Sequence, residues 1–405
     1  MRFKLLRLLG EGGFSYVYLV QDTATSQLYA LKKIRCPFGQ ESVSQALKEV
    51  EAYTLFSSSS YIIHSIDHSV QTDSGIKISG IGNDNSAGSK TVYILLPYYR
   101  RGNLQDAINA NLVNHTKFPE NRLMILMLGV AKALKDMHQY KVRDGANRGK
   151  AKAVRDEAAA EDRDAARRAN KNKRREMRAE PQDGTDHDAE EPLMEGEVMR
   201  AQEGVAEGGL RAYAHRDIKP GNIMISDSGN DPILMDLGSL APSPLPITSR
   251  SLALAVQDTA AEHSTMPYRA PELFDVKTGS VIDTKVDIWS FGCTLYACLV
   301  GKSPFEARSE ETGGSLSICV LGGDWRFPDE GRDKKGKARQ GQPIHQNGEA
   351  TGPNESVISE NVRDVVRRCL QVEPAERPDI DELIELIEKV VDELPDDGVS
   401  SSVDV

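Results

Sequence analysis

The 405-residue sequence has only five cysteines: Cys36, Cys293, Cys298, Cys319 and Cys369. They form no Cys-x-x-Cys pair, and an odd, scattered set excludes a disulfide framework and points to a reducing compartment. Cationic charge is also scarce, with 50 Lys and Arg against 61 Asp and Glu, a formal net charge of −11. A nucleic-acid binder is usually basic, so no nucleic-acid partner is expected. Long apolar runs are missing too. The two longest, Leu123–Leu134 and Ile288–Val300, are too short to span a bilayer and read as buried helices. The opening Met-Arg-Phe-Lys-Leu-Leu has too short an apolar run for a signal peptide, and no Met-Gly start offers a myristoylation site. There is no internal repeat. What remains is a chain long enough for two packed lobes plus insertions.

Three stretches carry too little apolar surface to offset the entropy of ordering them. Residues 141–210 are dominated by Arg, Lys, Ala, Glu, Asp and Gly, basic over Lys141–Arg178 and acidic over Glu180–Glu207. They read as a charged insertion, with a transient helix over Ala151–Arg168 and the capacity to dock a partner. Residues 329–356 read as a second polar, Gly-rich insertion, and 395–405 as a frayed tail. Residues 71–90 read as a long hairpin loop.

Between these lie periodic segments. Leu5–Leu9, Tyr16–Val20 and Leu28–Ile34 read as antiparallel strands, with Gly10-Glu-Gly-Gly-Phe-Ser-Tyr-Val17 turning between the first two. Its glycines allow a backbone to close over phosphates without Cβ clashes. Val43, Leu47, Val50 and Leu55 recur at helical spacing around Glu49, which would face Lys32 on the third strand, while alternation sends Lys33 to the opposite face. Val92–Leu96 reads as a strand, Leu123–Met137 as a buried helix, and Val362–Leu370 and Ile380–Leu394 as amphipathic helices.

The densest chemistry lies in Tyr213-Ala-His-Arg-Asp-Ile-Lys-Pro-Gly-Asn222, where Asp217, Lys219 and Asn222 fall within six residues. A carboxylate to accept a hydroxyl proton, an ammonium to balance phosphate charge and an amide to ligate a metal suit phosphoryl transfer. Fourteen residues on, Asp236-Leu-Gly238 supplies a second carboxylate for Mg²⁺. This pattern resembles the catalytic loop of a eukaryotic protein kinase, with Asp-Leu-Gly where most members have Asp-Phe-Gly. The resemblance extends to a Gly-rich loop with Ser15 at its third glycine, and to Lys32 as the lysine for the α/β-phosphates. Leu96 resembles the gatekeeper of a hinge over 97–99, where adenine would bond the Pro97 carbonyl and the Tyr99 amide. Thr265-Met-Pro-Tyr-Arg-Ala-Pro-Glu272 resembles the end of an activation segment. There Thr265 would bond near Asp217 and Lys219, and Glu272 would pair with Arg377. Asp287-Ile-Trp-Ser-Phe-Gly292 resembles the central helix of the large lobe, with Asp287 anchoring the catalytic loop.

The resemblance implies an α+β, two-lobed kinase fold: an N-lobe over 1–96, a hinge, and a C-lobe over 100–140 and 211–394. It implies ATP held by Gly10, Glu11, Gly12, Gly13, Val17, Ala30, Lys32, Pro97 and Tyr99. Catalysis would fall to Asp217, Lys219, Lys32 and Glu49, with Mg²⁺ on Asn222 and Asp236. Lys219, two residues after Asp217, implies Ser/Thr acceptors in protein substrates. Within the kinases, the chain is similar to the Numb-associated family, and there to the myristoylated and palmitoylated kinase branch and its fungal vacuolar relatives. That branch implies a cytoplasmic enzyme peripheral on Golgi or vacuolar membranes, although this sequence has neither a Gly after Met1 nor a cysteine near it. The alternatives are a pseudokinase scaffold, which usually lacks Lys32, Asp217 or Asp236, and a small-molecule kinase, which would lack the Glu272–Arg377 pair. Finally, Leu252, Ala255, Val256 and Thr259 share one helical face over Ser249–Glu262, with Thr248 or Ser249 as cap and Asp258 and Glu262 in water. Such a packed helix would pre-order the activation segment without phosphorylation.

Overall fold

The computed structural model describes residues 2–13, 15–37, 40–72, 90–142, 209–330 and 358–395. The expectations for Phe14, for most of the 71–90 loop, for 143–208, for 331–357 and for 396–405 lie outside them.

The small lobe is a five-stranded antiparallel sheet, ordered β1-β2-β3-β5-β4. It comprises β1 (Phe3–Glu11), β2 (Ser15–Asp22), β3 (Leu28–Cys36), β4 (Asp67–Thr72) and β5 (Lys90–Pro97). Helix α1 (Gln40–Leu55) lies against it, seating Val43, Leu47, Val50 and Tyr53 in the core beside Val92 and Ile94 of β5. The three expected strands form, the first two longer at both ends and the third extended to Cys36. β4 is an addition that the sequence reading placed partly in a loop. It is a largely exposed edge strand of polar residues, so its only signature is pairing with β5, from Asp67↔Leu95 to Thr72↔Lys90. Thr72 and Lys90, assigned to the loop, end this hairpin. Alternation along β3 separates the two lysines as expected: Lys33 crosses to the Tyr93 ring at 5.9 Å, on the face opposite Lys32.

The large lobe is mainly helical. Its elements in chain order are α2 (Leu104–Asn114), α3 (Glu120–His138), α4 (Arg250–His263), α5 (Lys285–Val300), α6 (Pro304–Thr312), α7 (Leu316–Gly322), α8 (Glu360–Cys369) and α9 (Ile380–Glu393). Helix α2 went unread because its start lies in the polar stretch after the hinge. Asn103 and Asp106 form a reciprocal capping box there, Asp106 N–H to Asn103 Oδ1 at 2.9 Å and Asn103 N–H to Asp106 Oδ2 at 3.0 Å. Helices α3 and α5 are buried on most faces, which is why their sequences are apolar all round. Where α8 crosses α5, a Cβ at Gly292 would stand 2.6 Å from Cys369 Cβ, so only glycine allows that approach. All five cysteines are buried free thiols. Among the described residues, no helix is long and apolar enough to cross a membrane.

Glu272 and Arg377 pair as expected, at 2.7 and 2.9 Å, with Arg377 fully buried over the Trp289 ring. Asp329 and Glu330, which began the expected second insertion, bond Arg363 and Arg367 of α8, and so belong to the packed lobe.

Short strands frame the cleft. β6 (Tyr140–Lys141), β7 (Leu210–Ala214) and β10 (Ala241–Ser243) form one sheet, β8 (Ile223–Ile225) and β9 (Pro232–Leu234) a hairpin, and β11 (Leu245–Pro246) pairs with β12 (Val281–Ile282). The prolines at 242, 244 and 246 therefore sit in or between strands. Lys141 and Leu210, counted in the first insertion, are directly paired, and the Val142 N–H donates to the Gly209 carbonyl at 3.1 Å.

The charged segment thus leaves and returns at adjacent backbone positions. Loop-closure entropy depends only logarithmically on length, so replacing 145–208 by a short Gly/Ser linker should alter stability by about 1 kcal/mol. Chemical denaturation of the shortened protein checks this, and loss of soluble, cooperative folding would contradict it.

Candidate active site

Lys32 on β3 is where the two lobes meet. Its Nζ donates to both Glu49 oxygens, at 2.7 and 3.0 Å, and to Asp236 Oδ1 at 2.9 Å. Burial alone would depress the ammonium's pKa, but the Asp236 and Glu49 carboxylates outweigh it and raise it. In turn the charge of Lys32 lowers the pKa of Asp236 to about 2, against burial. Asp236 is therefore anionic near neutral pH. What it contributes to stability is present above the ordinary carboxylate pKa and disappears as pH falls toward 2.

The catalytic loop follows β7. Asp217 accepts from the Thr265 N–H on Oδ1 at 2.8 Å, and on Oδ2 from Lys219 Nζ at 2.8 Å and Asn222 Nδ2 at 3.0 Å. Lys219 also donates to Thr265 Oγ1 at 2.6 Å, the contact expected from the activation segment. Asn222 Nδ2 is spent on Asp217, which leaves its Oδ1 as the oxygen available to a cation. His215 joins this loop to the Asp236 turn. Its Nδ1 accepts from the Asp217 N–H, so Nε2 carries the proton and donates to the Met235 carbonyl at 3.1 Å.

Beneath the loop lies Asp287 of α5, completely buried. It accepts the His215 N–H and Arg216 N–H, both at 2.8 Å, and His138 Nε2 at 2.9 Å. Burial pushes its pKa up, but these partners outweigh that and bring it below the ordinary value. Arg216 and Asp236 hold left-handed backbones, with φ of 68° and 62°. Strain of this kind persists only where surrounding bonds over-determine it, as Asp287 and Lys32 do here.

The Gly-rich turn closes with the Gly12 N–H donating to the Ser15 carbonyl at 2.8 Å. Gly10 and Glu11 end β1, Gly13 follows in the turn, and Val17 faces Lys32 across the strands. Ala30 pairs with Leu96, and Pro97 ends β5 two residues before the half-buried Tyr99.

An ammonium held by two carboxylates, and a third carboxylate held by a lysine and an amide, are the groups that phosphoryl transfer calls for. A protein kinase domain model matches residues 3–144 and 210–386. The chain belongs to the protein kinase family. Similar proteins include serine/threonine-protein kinase ENV7 of Saccharomyces cerevisiae, 34% identical over 400 residues covering 96% of this chain and 91% of the relative. Serine/threonine-protein kinase ppk13 of Schizosaccharomyces pombe is 32% identical, covering 96% and 90%. Human serine/threonine-protein kinase 16 is 28% identical, covering 79% and 76%.

The kinase's activation segment carries helix α4 as expected, capped by Ser249 Oγ accepting the Leu252 N–H at 3.1 Å. Its buried face is Leu252, Ala253, Val256 and Ala260, rotated from the expected one; Ala255 and Thr259 lie at its border, and Asp258 and Glu262 are exposed. Its C-terminal end is clamped by Arg269, which donates to Ser264 Oγ at 2.7 Å and to the Ser264 carbonyl at 2.8 Å. Sequence reasoning passed over Arg269, His138, His215 and Tyr53. For Tyr53 a signal existed, since it stands four residues after Glu49 on the same helical face. His138 had none, because its role depends on a partner 149 positions away.

Replacing Asp287 by Asn puts an NH₂ against an N–H donor in a dry site, and should cost roughly 3 kcal/mol. A thermal midpoint falling by less than about 2 °C would show that the loop is held by other means.

Proposed function

We propose that the chain is an ATP- and Mg²⁺-dependent serine/threonine protein kinase that works without phosphorylation of its activation segment. Kinase membership comes from the family match, and the Ser/Thr specificity accords with the names of its relatives. The observation that carries the reading is the convergence of Lys32, Glu49, Asp236, Asp217, Lys219 and Asn222 through short hydrogen bonds. A pseudokinase scaffold has no support from these residues, all of which are in place.

The donor set fits the cofactor: two acidic or amide oxygens for a hard cation, and a cationic amine for phosphate. When bound, Mg·ATP supplies the transferable γ-phosphoryl group and the charge that neutralises its oxygens. Lys32, braced by Glu49, would hold the α/β-phosphates. Asn222 Oδ1 and the Asp236 carboxylate would hold the metal. Asp217 would orient the acceptor hydroxyl and take its proton, and Lys219 would offset charge on the phosphate. The backbone of the Gly-rich turn would cover the phosphates, and the Pro97 carbonyl and Tyr99 N–H would hold adenine.

The finer placement, in the Numb-associated family beside the lipid-anchored Golgi and fungal vacuolar branch, is supported by the motifs and by similarity to kinase 16 and ENV7. Peripheral membrane association on the cytoplasmic side and partner docking through 141–210 are part of the same reading.

Phosphorylation independence follows from α4. Burying a large side chain contributes about 1.5–3 kcal/mol, comparable to the few charge-assisted bonds a phosphate adds. Phosphatase-treated enzyme, its modification state verified by mass spectrometry, should keep kcat/KM within about threefold. A fall of about a hundredfold, restored by autophosphorylation at Thr259, Ser264 or Thr265, would mean the segment is ordered by phosphate. Asp217→Asn should lower kcat by roughly 10²–10⁴-fold in a radiolabelled-ATP assay, and near-normal turnover would sink the assignment of Asp217.

A further inference from the structure

Glu49 has a second attachment besides Lys32. One turn further along α1, Tyr53 is 1% exposed, and its hydroxyl donates to Glu49 Oε1 at 2.5 Å. The carboxylate is therefore held from two sides, by the ammonium on both oxygens and by the phenol on one. Glu49 Oε2 lies close to the Asp236 turn, 3.6 Å from where a Cβ on Gly238 would stand. Leu237 of that turn is buried beside α1, in the same core as Tyr53. One buried hydroxyl thus braces the carboxylate that shares Lys32 with Asp236.

We propose that Tyr53 is a positioning residue whose hydroxyl latches the Glu49 carboxylate in place and so aims Lys32 before nucleotide arrives. The proposal rests on the reading above that Lys32 grips the nucleotide's phosphates. A glutamate has three rotatable side-chain bonds and in isolation leaves its lysine readily. A phenol packed in a core has two, both locked by packing, so its hydroxyl restrains Glu49 at little entropic cost. Burial, and then the Glu49 charge, push the phenol's pKa up, so near neutral pH it is a donor. Asp236 and Glu49 meet on Lys32, so slack at Glu49 also loosens the carboxylate that faces the metal.

Tyr53→Phe keeps the ring and removes only the oxygen. It is compared with wild type, Lys32→Met, Glu49→Gln and the Tyr53→Phe/Glu49→Gln double variant. The readouts are kcat and KM for ATP on a generic protein substrate, Kd for ATP and for adenosine by calorimetry, and the thermal midpoint. Loss of one hydrogen bond to a buried charge should lower kcat/KM for ATP about tenfold. ATP binding should weaken while adenosine, which has no phosphate for Lys32, binds within about twofold of wild type. In the Glu49→Gln background the same substitution should change kcat/KM by less than about twofold, because its route of action is gone. Unchanged kcat/KM in Tyr53→Phe, equal weakening of ATP and adenosine, or a full-sized loss on top of Glu49→Gln would each overturn the latch. Lys32→Met binding ATP as tightly as wild type would overturn the reading of Lys32 and the latch together. Weak ATP binding by Lys32→Met beside normal Tyr53→Phe would overturn the latch alone.

Discussion

A carboxylate with no exposure to water governs the large lobe. Isolating an ion such as Asp287 in a dry interior costs several kcal/mol unless its lone pairs are filled. Here two backbone N–H groups and one imidazole fill them. The requirement works in both directions. Asp287 is tolerable only if the catalytic loop takes the one course that presents the His215 and Arg216 amides to it. The loop keeps the left-handed Arg216 only because Asp287 is there. From that fixed point the remaining geometry follows by short range: His215 reaches the Met235 carbonyl, Ser239 Oγ donates to the His215 carbonyl at 2.6 Å, and Asp217 faces Lys219 and Thr265. The buried core of α5 sets the positions of atoms in the cleft.

Packing and capping hold the activation segment's helix in place. Leu252, Ala253, Val256 and Ala260 seat α4 on the lobe, Ser249 satisfies its first amides, and Arg269 satisfies its last carbonyls while stacking on Phe274 at 5.0 Å. Apolar burial responds little to ionic conditions, and it is present as soon as the chain folds. Thr265 follows α4 by two residues and bonds both Asp217 and Lys219, so a seated α4 delivers Thr265 to the catalytic loop.

Much of this was legible in the sequence, for physical reasons. The apolar faces of α1, α8 and α9 repeat at helical spacing, and the Lys32, Asp217 and Asp236 motifs are local strings whose chemistry can be read residue by residue. What escaped was either polar or distant. β4 is an exposed edge strand without an apolar face, so its pairing with β5 leaves no periodic trace. The rotation of α4 by part of a turn moved Ala253 and Ala260 inward in place of Ala255 and Thr259, because small residues satisfy a helical stripe in more than one register. His138 acquires meaning only from a partner that folding brings to it, 149 positions away.

The strained backbones bear on the choice between an enzyme and an inert scaffold. Left-handed conformations at Arg216 and Asp236 each cost on the order of 1–2 kcal/mol for residues with a Cβ. A scaffold gains nothing from either, since its partners would read its surface. At Asp236 the unusual backbone turns a carboxylate toward Lys32 while Leu237 is buried beneath it. At Arg216 it sends the chain from the Asp287 anchor to Asp217. Both of these strained positions present a carboxylate to the cleft, and buried bonds underneath compensate them. That distribution of cost is expected of a chain whose catalytic loop and metal turn are kept for chemistry.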